Sequence, residues 1–372
     1  MRNQDKFRGC LIGGAIGDAL GYPVEFMQLN EIHKKYGKNG INSYELKNGV
    51  AEISDDTQMT LFTANGILIG TTRLSLRGIG GGSPEFYCWH CYKAWLITQN
   101  GNYNLWKNKV VDISEEFPWL IRIPELHNRR APGNTVLNAL LNNSIGSTNK
   151  PLNDSKGCGG LMRVAPIGLY YEKLDIDTIS IFGAENAALT HGHDLGYIPA
   201  AAFVYIINRI IYDVNETILE KIIIDCIKKM RDLFYNKPHI NDFIKIMDKS
   251  IELSKSNKNN ANAISEIGEG WVAEEALAIA VYCSLKYHNS FEKAIIASVN
   301  HNGDSDSTGS ITGNLMGAIH GYKKIPEKYI TNLELKEIIM EISDDLFFDC
   351  QVYEYQENRT EEDMKWCNKY VA

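Results

Sequence analysis

Two clusters of oxygen-bearing side chains stand far apart in this 372-residue chain and share one composition. The first is Ser54-Asp55-Asp56-Thr57, just ahead of the apolar run Met59 to Leu68. The second is Asp304-Ser305-Asp306-Ser307, which precedes a Gly-dotted apolar run, Ile311 to Ile319. Carboxylates and hydroxyls are hard ligands, of the kind Mg²⁺ or Mn²⁺ prefers to soft sulfur. An apolar flank does not tolerate unpaired charge, and a bound cation would neutralise it. Taken alone, each stretch reads first as a helix N-terminus with an aspartate cap. The recurrence changes that reading. Hydroxyls and carboxylates at two apparent helix starts point to one shared site that could hold two hard cations on the order of 4 Å apart. A further acid, Glu25, lies between Val24 and Phe26; it is either a partnered buried carboxylate or a surface residue.

The elements that must position these groups read as helices. Lys6 to Leu20 is a Gly/Ala-rich helix that Gly21-Tyr22-Pro23 ends. Its glycines cost helix propensity, which implies close backbone approach to a neighbour. Thr57–Ile69, Pro84–Thr98, Asn134–Leu141, Ile176–Thr190, Leu195–Ile211, Ile218–Phe234 and Phe291–Val299 all read as helical, several with apolar residues at 3–4 spacing. Residues 335–347 form a last amphipathic helix. Residues 28–52 read as a loop with short extended pieces, and 254–262 as a polar linker. Strand signals are few, and there is no βαβ rhythm and no internal repeat. The fold class is therefore all-α, a single domain over 1–372 with long loops, its core at about 7–346 and a C-terminal tail at 347–372.

Three glycine-rich stretches invite a ligand reading. Gly78 and Gly80–Gly82 lack a preceding strand and a Gly-Lys-Ser/Thr end, so a phosphate-binding P-loop is rejected. Gly157-Cys158-Gly159-Gly160, leading into Leu161-Met162-Arg163, exposes N–H groups suited to phosphate, or is a plain turn. Gly268-Glu269-Gly270-Trp271 opens a helix through Tyr282. Thr190-His191 by itself is a helix-linking turn. The aromatic segment 85–106 suggests packing or an interface and has no assigned role.

Composition narrows the function classes. The net charge is −8, and no basic stripe carries interleaved aromatics, which argues against nucleic acid as the main partner. Eight dispersed cysteines are too sparse for a disulfide framework and imply a reducing, cytoplasmic compartment. Cys88-Trp89-His90-Cys91 has no second pair at zinc spacing, which favours two ordinary thiols on a helix face. The longest apolar stretch, Ile198–Ile211, is interrupted by Asn208 and Arg209, so no membrane span is expected. Asp5 and Asp18 argue against a signal peptide at the N-terminus.

With these motifs in place, the chain resembles the ADP-ribosylglycohydrolase family. The resemblance runs from about Phe7 to about Leu346. It rests on Gly17-Asp18-Ala19-Leu20-Gly21 with Glu25, on Ser54–Thr57, on Gly157–Arg163, on Thr190-His191 and on Gly303–Ser307. It implies an orthogonally packed helical bundle around a centre of two Mg²⁺ (or Mn²⁺) ions. The metal ligands it implies are Ser54, Asp55, Asp56, Asp304, Asp306 and Ser307. Asp55 or Asp56 would act as base, with Glu25 the competing candidate. Gly157, Cys158, Gly159, Gly160 and Met162 would hold the diphosphate and distal ribose, and His191 would approach the substrate. Gly268, Gly270 and Trp271 would lie on the adenosine side, where Trp271 either stacks adenine or packs beneath it.

The activity implied is hydrolysis of the bond between ADP-ribose and a modified acceptor. Ser307 and the Gly-Cys-Gly loop are similar to the arginine-directed branch, so the expected partner is an ADP-ribosylated protein. The alternatives are an O-linked substrate such as ADP-ribosylserine or O-acetyl-ADP-ribose, a non-catalytic ADP-ribose-binding or structural protein, a protein that neutralises a toxin by stable binding, and a dimetal phosphoesterase.

Overall fold

The computed structural model describes residues 2–77, 83–99, 118–142, 144–213, 218–353, 356 and 358–371. Among these residues there are seventeen α-helices and no sheet, only three isolated bridges. In chain order the first nine helices are α1 (Gln4–Gly21), α2 (Leu29–Tyr36), α3 (Asp55–Arg77), α4 (Pro84–Gln99), α5 (Asn134–Leu141), α6 (Ala165–Tyr170), α7 (Ile176–Ala188), α8 (Asp194–Tyr212) and α9 (Leu219–Leu233). They are followed by α10 (Ile240–Ser254), α11 (Asn260–Ile267), α12 (Ala273–Lys286), α13 (Phe291–Val299), α14 (Ser305–His320), α15 (Glu327–Ile330), α16 (Lys336–Phe348) and α17 (Glu361–Tyr370).

The central pair is α1 against α14. The glycines at 9, 13 and 17 of α1 face those at 317, 313 and 309 of α14, backbone to backbone. A Cβ added at Gly17 would overlap the Gly309 carbonyl, and one at Gly309 would overlap the Gly17 carbonyl. The lost helix propensity is thus exchanged for an approach no side chain permits. Both helices are almost wholly buried, and the end of α1 that carries Asp18 lies against the start of α14. Helix α8 is the one described helix long and apolar enough to cross a membrane, and 89% of its apolar window is buried inside the protein.

Three expectations are corrected. Residues 28–52 contain α2, started by the Glu31 carboxylate accepting from the Gln28 N–H at 2.8 Å. The stretch read as a polar linker runs into α11, capped by Asn259 accepting from Asn262 N. Residues 347–372 are no mere tail, because α17 packs back: Trp366 donates to Thr72 Oγ1 at 2.9 Å and Tyr370 is fully buried. Short polar helices of this kind carry little apolar periodicity and depend on caps and docking. The glycines at 78 and 80–82, and residues 100–106 of the aromatic segment, lie outside the described residues.

Candidate active site

The close approach of α1 delivers Asp18 to the start of α3. Its carboxylate accepts from Ser54 N at 2.9 and 3.1 Å, from Thr57 N at 3.1 Å and from the Thr57 hydroxyl. Asp18 thereby satisfies donors at the helix start that have no intrahelical partner. Asp55 N is held by the Arg130 carbonyl at 3.1 Å, and Asp56 N by Ser54 Oγ at 3.2 Å. With its backbone fixed in this way, α3 presents Asp55 and Asp56 from its first turn.

The second motif starts α14. Asp304 is its N-cap, accepting from Ser307 N at 3.3 Å, and Asp306 accepts from the same N–H at 3.0 Å. The helix-cap reading of the sequence is therefore correct for Asp304, yet it does not exclude a ligand role. Asp304 N is held in turn by the Glu269 carbonyl at 2.8 Å, so the Gly268–Trp271 segment braces the cap.

The two motifs meet. Ser307 Oγ stands 3.4 Å from Asp56 Oδ1. Carboxylate oxygens of Glu25, Asp304 and Asp306 all lie within 4.8 Å of one another, and all three residues are buried. Cys158 Sγ donates to Asp304 Oδ2 at 2.8 Å and is 3.3 Å from Ser307 Oγ. A cleft of about 220 Å³ opens on the group. Glu25, Asp55, Asp56, Asp304 and Ser307 line it, facing Gly157, Cys158, Gly159, Met162, His191 and Trp271.

Some of the sequence candidates stand apart from the cleft wall. Gly160 packs on Ala187 of α7. Gly268 and Gly270 flank a turn whose N–H groups at 269 and 270 are tied to Glu275 Oε2 at 2.9 and 3.1 Å, which makes them supports for Asp304. Two contributors escaped the sequence reading. One is Asp18, which stood in a motif of the resemblance but was given no role of its own. The other is the Ala131–Val136 strip of the cleft wall, which carried only a Pro-Gly turn as its mark.

The electrostatics of the cluster are one-sided. Burial, followed by the charges of Asp304, Asp55 and Asp18, raises the Glu25 carboxyl to about 9. Asp55, Asp56 and Asp306 are likewise held well above the ordinary carboxylate range, first by burial and then by neighbouring acids. Asp18 rises to about 6, burial outweighing its hydrogen bonds. Glu25 Oε2 and Asp56 Oδ2 are buried without any hydrogen-bond partner. Orphaned buried oxygens, a donor set almost entirely of oxygen and the mutual repulsion of carboxylates fit a hard divalent cation such as Mg²⁺ or Mn²⁺.

His191 is set differently. Burial and the Arg163 charge lower it to about 3, so the imidazole is neutral at physiological pH. Arg163 Nη2 donates to Thr190 Oγ1 at 2.9 Å, and Thr190 Oγ1 lies 2.8 Å from His191 Nδ1. Thr190 Oγ1 thus links the guanidinium to the imidazole, whose Nε2 edge faces Gly157 and Gly159.

An all-helical chain with a buried, oxygen-rich cleft is the class the geometry defines, and known proteins agree. The family described as ADP-ribosylglycohydrolase matches residues 1–356. An ADP-ribosyl-[dinitrogen reductase] glycohydrolase of Rhodospirillum rubrum is 24% identical, covering 90% of this chain and 92% of that protein. The ADP-ribosylarginine hydrolase Tri1 of Serratia proteamaculans is 24% identical over 92% of this chain and 79% of its own length. The human ADP-ribosylhydrolase ARH3 is 26% identical, but over only 48% of this chain and 54% of that protein. A solved ADP-ribosylglycohydrolase-related protein complex has the same fold, with a TM-score of 0.57 at 19% identity, covering 93% of this chain and 98% of that one. The chain belongs to the ADP-ribosylglycohydrolase family. That membership supports glycohydrolase chemistry on ADP-ribosylated substrates.

Proposed function

We propose that this protein is a cytoplasmic hydrolase, dependent on two Mg²⁺ or Mn²⁺ ions, that removes ADP-ribose from arginine side chains of modified proteins. The observation that carries the reading is the meeting of two acidic motifs around buried oxygens that lack partners. Ser54, Asp55, Asp56, Asp304, Asp306 and Ser307 would hold the cations, and the Glu25 carboxylate is near enough to join them. The arginine assignment draws on Ser307 and the Gly-Cys-Gly loop. It also draws on relatives whose names specify ADP-ribosylarginine or dinitrogen reductase and whose match spans 90% or more of this chain. All eight cysteines are free thiols, in keeping with a reducing compartment.

The bound cations would supply charge neutralisation and Lewis acidity at the substrate's hydroxyls and water. The protein's residues supply the rest. The Gly157–Gly159 loop and the Nε2 edge of His191 bind the anionic diphosphate side and orient the ribose. Asp55 or Asp56 takes the proton of the attacking water, with Glu25 the competing base. The same carboxylates stabilise positive charge building at the anomeric carbon.

The test is incubation with arginine-ADP-ribosylated protein, serine-ADP-ribosylated protein and O-acetyl-ADP-ribose, each with Mg²⁺, Mn²⁺ or chelator, with free ADP-ribose followed by mass spectrometry. Release from the arginine substrate that chelator abolishes supports the reading. Binding of ADP-ribose with no release from any substrate would convert it to a binding protein.

A further inference from the structure

We propose that the Cys158 side chain is a soft donor of the metal centre, and that with Asp304 and Ser307 it takes up a thiophilic divalent cation such as Zn²⁺. This rests on the metal-centre part of the reading above and not on turnover. The thiol already stands among the expected ligands: Sγ is 2.8 Å from Asp304 Oδ2 and 3.3 Å from Ser307 Oγ. A tetrahedral cation at about 2.3 Å from sulfur and about 2.1 Å from oxygen needs S···O separations of about 3.6 Å. The Ser307 contact is within about 0.3 Å of that spacing. The Asp304 contact is closed by the thiol hydrogen, and it must open by less than about an ångström once that hydrogen is gone.

Two observations set Cys158 apart from an ordinary thiol. Elsewhere thiols meet uncharged groups: Cys88 donates to the Thr63 carbonyl, Cys226 to that of Ala202 and Cys350 to that of Val352, and Cys91 accepts from Asn65. Among the described residues, Cys158 is the one thiol whose hydrogen bond reaches a carboxylate. The second observation is an unpartnered oxygen in the same cleft. Asp56 is 2% exposed, lines the cleft with Cys158, and has an Oδ2 without any hydrogen-bond partner. A buried carboxylate oxygen with no donor calls for a cation nearby. The backbone also fixes the sulfur. Cys158 N donates to the Trp271 carbonyl at 3.2 Å, and the Cys158 carbonyl accepts from Leu161 N at 2.7 Å and Met162 N at 3.1 Å. The loop is thus tied on both sides of the thiol, which holds Sγ at Asp304.

Asp304 divides the centre by hardness. Its carboxylate meets those of Glu25 and Asp306 in an all-oxygen group, which suits a hard cation. Toward Cys158 the donors are mixed, and thiolate prefers Zn²⁺ or Cd²⁺ to Mg²⁺. When such a cation binds, the S–H bond breaks, the proton leaves to water, and a sulfur lone pair forms the bond to the metal. The Cys158 side thereby takes the soft cation while the Glu25 side keeps the hard one.

The probe is Cd²⁺, whose bond to thiolate gives an ultraviolet charge-transfer band, added to the metal-free full chain. Wild type is compared with Cys158→Ser and Cys158→Ala, with folding checked by circular dichroism. Equilibrium dialysis gives the Zn²⁺ and Mn²⁺ affinities of each. Wild type should develop the band at one equivalent per chain, and both variants should lack it. Cys158→Ser keeps a hydroxyl to donate to Asp304 but loses the soft donor. It should weaken Zn²⁺ binding at least about 10-fold and Mn²⁺ binding less than about 3-fold. Unchanged Zn²⁺ affinity in Cys158→Ser overturns the proposal and leaves the thiol a hydrogen-bond donor only. A band that persists in the variants, or equal weakening of both cations, overturns it as well. If wild type binds Mn²⁺ and shows no band, the Cys158 assignment alone fails; if it binds neither cation, the metal-centre reading fails with it.

Discussion

Gly17→Ala tests whether the glycine contact between α1 and α14 holds the acidic motifs in place. The new methyl would meet the Gly309 carbonyl and approach Ser310 N to 3.0 Å, where ordinary contacts begin at 3.4 Å. All of these are backbone atoms, so no side chain can rotate away. The helices must part by about an ångström, and with rigid backbone on both sides the cost is about 2–3 kcal/mol, the upper end for overpacking. Improved helix propensity returns about 1 kcal/mol. A net loss of about 1–2 kcal/mol lowers Tm by roughly 1–3 °C in a chain of this length. The same displacement separates Asp18, which holds the start of α3, from Asp306 and Ser307 on α14. Metal ligands tolerate errors of only about 0.2 Å, and disturbed supporting contacts cost about 10-fold or more in affinity. At a Mg²⁺ concentration 100 times the wild-type Kd, wild type gains about 2.7 kcal/mol of stability. A variant bound 10-fold more weakly gains about 1.3 kcal/mol less. Thermal unfolding with and without Mg²⁺ reads both terms: the gap between variant and wild type should widen when metal is added. An equal gap in the two conditions would refute the link between helix contact and site, and no gap at all would refute the close-approach argument.

Three further outcomes follow from the site. Asp304→Ala and Asp56→Asn should each lower ADP-ribose release by at least about 10²–10⁴-fold in the mass-spectrometric assay, because a base or a ligand is lost. Without metal, carboxyls raised in the folded state, Asp18 to about 6 and Glu25 to about 9, hold protons that the unfolded chain releases near pH 4. Their contribution is complete below the unfolded values and is lost as pH rises through the folded ones, so apoprotein Tm should fall between pH 5 and 9, and Mg²⁺ should reverse the trend. Thr190→Val removes the hydroxyl between Arg163 and His191. Nitrogen NMR should then show a changed balance of His191 tautomers, and stability should drop by about 1–3 kcal/mol.

Much of this arrangement was legible in the sequence, for identifiable reasons. The long helices carry apolar periodicity, and the glycines of α1 declared a close neighbour without naming it. Only the fold shows that the neighbour is α14. The two acidic motifs were visible because hydroxyls and paired carboxylates recur ahead of apolar runs. Glu25 was ambiguous because one acid among apolar neighbours has no local signature of burial. Asp18 was given no role in the site because its partners, Ser54 and Thr57, lie outside its own helix. The 268–271 segment read as a ligand contact because glycines suit ligands and turns alike. Its carbonyl at 269 and its N–H groups brace Asp304, while Trp271 lines the cleft. The Cys158–Asp304 contact joins residues too distant in sequence for any local pattern to pair them.

The most direct measurement is Mn²⁺ titration of the metal-free protein, read by electron paramagnetic resonance. Two equivalents per chain with a spin-coupled signal, lost in Asp304→Ala, are predicted, since oxygens of both motifs surround one small volume. A single isolated ion, no binding, or a coupled pair that survives Asp304→Ala would contradict the shared two-cation centre.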